Sequence, residues 1–177
     1  MKTFAECIAA GVVTPEEATA LYDSLEPVAV NFMMGHWKGS GFPTGHMVDG
    51  VLEACFWYGK NFESPEHVHP LVFTNLFGNK VSINPALMPM SLLNMKTVPK
   101  STAIGRLFQL LMPFFTTRRS RARVRMTEYR GKLSATMIYD ALPINDVFRK
   151  VDDNTLLGIM DYKGMEQSLF FVLQRET

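Results

Sequence analysis

No stretch of this chain approaches the ~20 consecutive apolar residues that a helix needs to cross a bilayer, although 47% of its 177 residues are hydrophobic. Cysteine is scarce. Cys7 and Cys55 are too few for a disulfide framework and lack CxxC spacing, so both read as free thiols, with Cys55 expected in a strand. The N-terminal "MKTFAECIAAGVV" has a single Lys and then Glu6 inside what would be the apolar region of a signal peptide. A secretory leader is therefore not expected, and a cytoplasmic protein is. Nucleophile elbow, phosphate-binding loop and dinucleotide fingerprint are all missing. Internal repeats and low-complexity tracts are missing too.

Acidic residues are scarce in one segment only. Residues 96 to 132 carry ten Lys or Arg against one acid, Glu128, while the rest of the chain carries eight basic and sixteen acidic residues. A basic segment inside a chain of net charge +1 points to an anionic partner or to a solvated basic face.

What is present reads as one domain of four parts. Residues 1 to 30 are expected to be helical. In "TPEEATALYDSL", Thr14 is an N-cap, Pro15 opens the helix and Glu17 completes a capping box. Ala18, Leu21, Tyr22 and Leu25 follow a helical period, and Pro27 ends the segment. Residues 31 to 84 and 118 to 177 hold short apolar or alternating runs: "HWKGSGF", "VLEACFWYG", "LVFTNLF", "KVSIN", "RARVRMTEY", "KLSATMIYD", "PINDVFRKV", "TLLGIMD" and "SLFFVLQRE". Arg130-Gly131, Asp152-Asp153-Asn154 and Lys163-Gly164 mark tight turns between them. About nine strands at about ten-residue spacing predict an antiparallel sandwich or up-and-down barrel, and no helix-length segment alternates with them to build a parallel sheet. Residues 85 to 117 are a Pro- and Met-rich insertion or lid. In it Ser101 caps a short helix whose Ile104, Leu107, Phe108 and Leu111 line one face, stopped by Pro113.

The stretch Gly35-His36-Trp37-Lys38-Gly39-Ser40-Gly41 carries the strongest local signal. In a small antiparallel barrel the first strand can open on Gly-x-Trp, the indole plugging the closed end while the glycines let the strand bend. Arg175, near the end of the last predicted strand, can cover that indole through a cation–π contact. His36 and Lys38 then alternate to the opposite face and meet solvent. The same stretch looks like the start of nitrobindin-type haem barrels, which ligate iron through a histidine near the C-terminus. Here His36, His46, His67 and His69 all precede residue 70, so no haem and no other cofactor is expected. His67 and His69 could share one strand face, but a metal site would need His46, Asp49 or Glu66 as third ligand, and none is assigned.

Asp140, Asp146, Asp161, Glu128 and the later histidines could supply acid–base chemistry in a barrel mouth. Glu128, on one strand face with Ala122, Val124 and Met126, is read as a buried ion-pair partner. Arg119, Arg121, Arg123 and Arg125 alternate onto one strand face directly after the apolar "AIGRLFQLLMPFF". That is a pattern for contact with an anionic lipid surface. Nucleic acid is not expected, because no aromatics are interleaved as base-stacking platforms. Twelve methionines suit an adaptable apolar cavity as well as an ordinary core.

Two longer stretches carry a family resemblance. "GHWKGSGFPTGHMVDGVLEACFWYGKNF" with "EHVHPLVF" resembles the bacterial GXWXG domain, departing from its pattern at Met47, where that pattern has a proline. "MTEYRGKLSATMIYDALPINDVFRKVDDNTLLGIMDYKG" with "FFVLQRE" is similar to the domain of unknown function 4334. The resemblance implies that both pieces form one mainly β, antiparallel, lipocalin-like barrel, and that the ligand is hydrophobic, a phospholipid or fatty acid. Local chemistry then nominates Trp57, Tyr58, His69, Arg121, Arg123, Arg125, Met126, Met137, Tyr139 and Arg149 as ligand-binding residues, with Trp37 and Arg175 structural. The competing readings are an isomerase or hydrolase using His46, His67 and Asp140 on a hydrophobic substrate and, second, a haem or metal-binding barrel. Expected partners are a lipid or similar small molecule and the cytoplasmic face of an anionic membrane, with a homodimer left open.

Overall fold

The computed structural model describes residues 1–88 and 102–176. Ten strands form a single antiparallel sheet with few helices. In chain order they are β1 (Glu26–Pro27), β2 (Gly35–Gly41), β3 (Trp57–Ser64), β4 (His67–Thr74), β5 (Lys80–Ser82), β6 (Ala122–Tyr129), β7 (Lys132–Tyr139), β8 (Ile144–Lys150), β9 (Thr155–Tyr162) and β10 (Leu169–Arg175). The helices are α1 (Phe4–Ala10), α2 (Pro15–Ser24), α3 (Val51–Ala54) and α4 (Thr102–Phe115).

β2-β3-β4-β6-β7-β8-β9-β10 pair in chain order, and β10 returns to β2, so these strands close into a barrel-like ring. β1 adds to the free part of β8, and β5 adds to β4. Closure leaves few strand edges to recruit other chains. The thinnest seam is β4–β6, whose ladder holds only Val68 opposite Ala122. The β6–β7 hairpin turns through Arg130 (φ 50°) and Gly131 (φ 73°), as "RG" predicts.

Strict alternation along the strands separates two cores. Ile144 and Phe148 of β8, Leu169, Phe171 and Leu173 of β10, and Ala135, Met137 and Tyr139 of β7 fill the interior of the ring. Val147, Leu157, Ile159, Phe170 and Val172 point outward instead, into a second core beneath α1 and α2. Both helices start with capping boxes, Thr3 with Glu6 and Thr14 with Glu17. Such a box satisfies two otherwise orphaned N–H groups. Cys7 is a buried free thiol under α1.

Three local expectations are corrected. "VLEA" is a helical turn rather than strand, because Val51, Leu52 and Cys55 meet the interior with an i, i+1, i+4 spacing that only a helix provides; Cys55 is its half-buried C-cap. Residues 26 and 27 break the N-terminal helical stretch to pair with Lys150 and Arg149. Helix α4 continues through Pro113 to Phe115, since a proline in the last turn disturbs only the one turn before it. The face expected to be shared is divided: Phe108 packs on the core, whereas Leu107 and Leu111 are exposed. Ser101 and the side chain of Ile104 lie outside the described residues.

Candidate functional site

One end of the ring is shut by Trp37. It is fully buried at the start of β2, donates from its indole Nε1 to the Met33 carbonyl at 2.7 Å, and packs against Phe32 of the 3-10 turn Val30–Met33. Arg175, its register partner on β10, stacks over the indole at 4.2 Å and donates to the carbonyls of Phe32 and Met34. His36 and Lys38 are exposed, as the alternation predicts. The other end of the ring is covered by α3 and α4, with Val51, Leu52 and Phe108 on the core and Gln109 Nε2 donating to the Thr74 carbonyl.

Between these ends lies a buried charged pair. Lys60 of β3 and Asp146 of β8 meet at 2.7 Å (Nζ to Oδ2), each side chain 3% exposed. Lys60 also donates to the Pro70 carbonyl at 3.1 Å. Its ammonium is walled by Phe171 at 5.0 Å, Trp57 at 5.7 Å and Tyr139 at 5.8 Å from the ring centroids, a three-sided aromatic box. The Tyr139 hydroxyl stands 3.5 Å from Asp146 Oδ2. Asp146 Oδ1 is buried with no hydrogen-bond partner among the described residues.

Glycines make room for this box. A Cβ on Gly39 would lie 2.3 Å from the Trp57 ring, and one on Gly158 would lie 2.4 Å from the ring of Phe171. The second glycine of Gly-x-Trp-x-Gly therefore seats Trp57, while the first, Gly35, takes φ +112°, which side-chain-bearing residues rarely adopt.

Burial sets the electrostatics. Desolvation raises the Asp146 carboxyl above its ordinary range, and the Lys60 ammonium opposes that shift. Tyr139 is held far above the usual phenol range, first by burial and then by the nearby carboxylate. The interior therefore offers a carboxylate with one free acceptor atom, an ammonium and a phenol that stays protonated.

The nominated residues divide by strand face. Trp57, Met137 and Tyr139 line the interior. Tyr58 faces outward, donating to Glu176 at 2.6 Å beneath Lys80. His69 is buried at the β3–β4 hairpin, its Nε2 3.3 Å from Glu63 and its Nδ1 without a partner. Arg121 is half-buried ahead of β6, Arg123 pairs with Asp140 at 3.5 Å and Arg125 with Glu66, all outside the ring. Met126 and Glu128 are exposed, so Glu128 is no buried ion-pair partner. Arg149 is buried on the outer face, over the Tyr22 ring at 4.9 Å and bonded to the Tyr129 carbonyl.

His46, His67 and Asp140 share no partner. His46 Nδ1 accepts from the Val48 N–H, and His67 Nδ1 meets Ser64. Asp49 is engaged by the N–H groups of Thr44 and His46. Among the described residues no three His, Cys, Asp or Glu gather to hold a metal.

Lys60 and Phe171 escaped the sequence reading. Their signal was strand parity: Lys60 alternates with buried Phe62, and Asp146 sits between inward Ile144 and Phe148. A charged residue on the apolar face of each of two strands marks a pair.

Comparison with other proteins agrees with this architecture. The family model described as "GXWXG protein" matches residues 20–78, and the one for "Domain of unknown function (DUF4334)" matches residues 120–175. A crystal structure of a protein from Thermomonospora curvata is 34% identical, with a TM-score of 0.72 over 98% of this chain and 95% of that one. No functionally curated protein matches. The chain belongs to the family that joins a GXWXG segment to a DUF4334 segment in one barrel-like ring.

Proposed function

We propose that the ring binds an amphipathic small molecule, its apolar part among Met137, Phe148, Met160 and Phe171 and its polar head against Lys60 and Asp146. The observation that carries this reading is the orphaned Asp146 Oδ1 beside an ammonium in an apolar interior. A buried acceptor without a partner costs roughly 1–3 kcal/mol. A ligand hydroxyl or protonated carboxyl that donates to Oδ1 and accepts from Nζ would recover that cost. Access on the α3–α4 side is supported by Tyr139, Met160 and Leu169, which each keep 8% exposure while Phe148 and Leu173 keep none. A fatty acid or a lipid with a hydroxyl-bearing head fits this chemistry. The outward arginines do not line the interior, so the polar head is assigned to Lys60 and Asp146 in their place.

A displacement titration tests the reading. A fatty-acid probe whose fluorescence rises in apolar surroundings should bind the wild type and be released by unlabelled fatty acid. Lys60→Met combined with Asp146→Leu, which keeps the interior filled, should weaken the probe at least about tenfold, the equivalent of one charge-assisted hydrogen bond. Equal binding by both proteins would remove the pair from recognition.

A further inference from the structure

The outer surface around α4 combines three features that no interior role uses. Leu107, Leu110, Leu111 and Phe114 stand at i, i+3, i+4 and i+7, so they form one stripe, and all four are exposed, Phe114 at 77%. The opposite side of the helix is already committed, with Met112 and Gln109 buried and Phe108 against Phe73. Beside the helix, the β4–β5 turn presents Leu76 and Phe77, the latter 87% exposed. Leu76 and Phe77 line one groove of about 200 Å³ with Gln109, Met112 and Pro113 of the helix. An exposed apolar stripe and a second exposed apolar turn flanking the same helix are more than a soluble surface ordinarily leaves in water.

The second feature is charge. Between Glu66 and Glu128 the sequence contains no Asp or Glu at all. That interval supplies β4, β5 and α4, including exposed Arg106, Arg118 and Arg119. The third is a cleft of about 500 Å³ at the C-terminal end of α4, lined by His69, Lys80, Ser82, Thr116, Thr117 and Arg118. Thr116 and Val81 border both the cleft and the apolar groove, so the two are continuous. The lining pairs two cations with three hydroxyls, and His69, 8% exposed, has a buried Nδ1 without a partner while its Nε2 lies 3.3 Å from Glu63. Lys80 is shared with Glu176, whereas Arg118 has no ion pair among the described residues.

We propose that α4, the Leu76–Phe77 turn and this cleft form a docking surface for a bilayer containing anionic phospholipid. The apolar side chains enter the interface and the cleft receives the phosphate of one headgroup. Charge complementarity selects this occupant: a protein partner would need only the apolar stripe, whereas the exposed Arg106, Arg118 and Arg119 beside it match a negative lipid surface. The proposal concerns the outer surface alone and stands or falls separately from ligand binding inside the ring.

The test is co-sedimentation of the full chain with unilamellar vesicles, either pure phosphatidylcholine or equimolar phosphatidylcholine and phosphatidylglycerol, alongside its molar mass in solution. The chain should pellet with the anionic vesicles, bind pure phosphatidylcholine at least about tenfold more weakly, and be released as salt rises. Leu110→Ser with Phe114→Ser, at exposed positions the fold tolerates, should abolish binding. Arg118→Ala and Arg119→Ala should each weaken it about fivefold. Equal binding to both vesicle types, or to neither, overturns the proposal. So does a wild-type dimer that the Leu110→Ser, Phe114→Ser variant turns into a monomer, since a second copy would then cover the stripe.

Discussion

Arg175 stacks its guanidinium 4.2 Å from the Trp37 ring while donating to the carbonyls of Phe32 and Met34, so β10 locks β2 at the shut end of the ring. Removing the guanidinium costs the cation–π contact and leaves two carbonyls without their donor. Arg175→Met should lower unfolding free energy by about 2–4 kcal/mol in urea titration. Arg175→Lys should recover less than half of that, because an ammonium cannot span both carbonyls and stack on the ring. Full recovery by lysine would mean that charge alone matters.

Gly39 is fixed by Trp57 rather than by its own backbone. A methyl placed there would overlap the indole ring, so Gly39→Ala should cost about 1–3 kcal/mol. Gly158→Ala should cost a similar amount through Phe171. Near-ultraviolet circular dichroism should report Trp57 displacement in the first variant. A stable Gly39→Ala with an unchanged spectrum would show that the ring has room.

Lys60 and Asp146 should behave as one unit. Either Lys60→Met or Asp146→Leu alone strands the partner in an apolar interior and should cost about 3–5 kcal/mol. The double variant should be more stable than either single one, so the double-mutant cycle departs strongly from additivity. Additive losses would contradict the pair.

His46 gives the fold a response to acid. Burial lowers its pKa, with Asp49 partly opposing, so the folded chain holds the imidazole neutral below the range where the unfolded chain begins to protonate. A depressed folded pKa means that the contribution to stability is complete above the unfolded value of about 6.5 and is lost as pH falls through the folded one. Thermal unfolding should therefore drop on acidification through and below that range, and His46→Gln should flatten this part of the profile. An identical profile would assign the acid response to other groups.

Much of the ring was legible because alternation and turns are local. The order of the meander, the "RG" hairpin and the Thr14 box follow from residues within a few positions of one another. The Trp37–Arg175 contact was also legible, since both residues carry distinctive chemistry at the ends of a meander that closes. The buried pair was harder. Lys60 and Asp146 are separated by 86 positions and each reads locally as an ordinary charged residue in a strand. Only the ring closure, with β3 and β8 facing across it, brings them together. The arginines misled for the opposite reason. Their alternation was correctly visible, but the face they share is outside the ring, which parity alone cannot distinguish.

Native mass spectrometry of the purified chain tests the central claim, that the Lys60–Asp146 box recognises an amphipathic ligand, most directly. The wild type should carry a defined extra mass that organic extraction identifies as a lipid or fatty acid. The folded Lys60→Met, Asp146→Leu variant should travel as the bare chain. A wild type at the bare mass, with no lipid in the extract, would contradict the account, as would a variant that retains the same adduct.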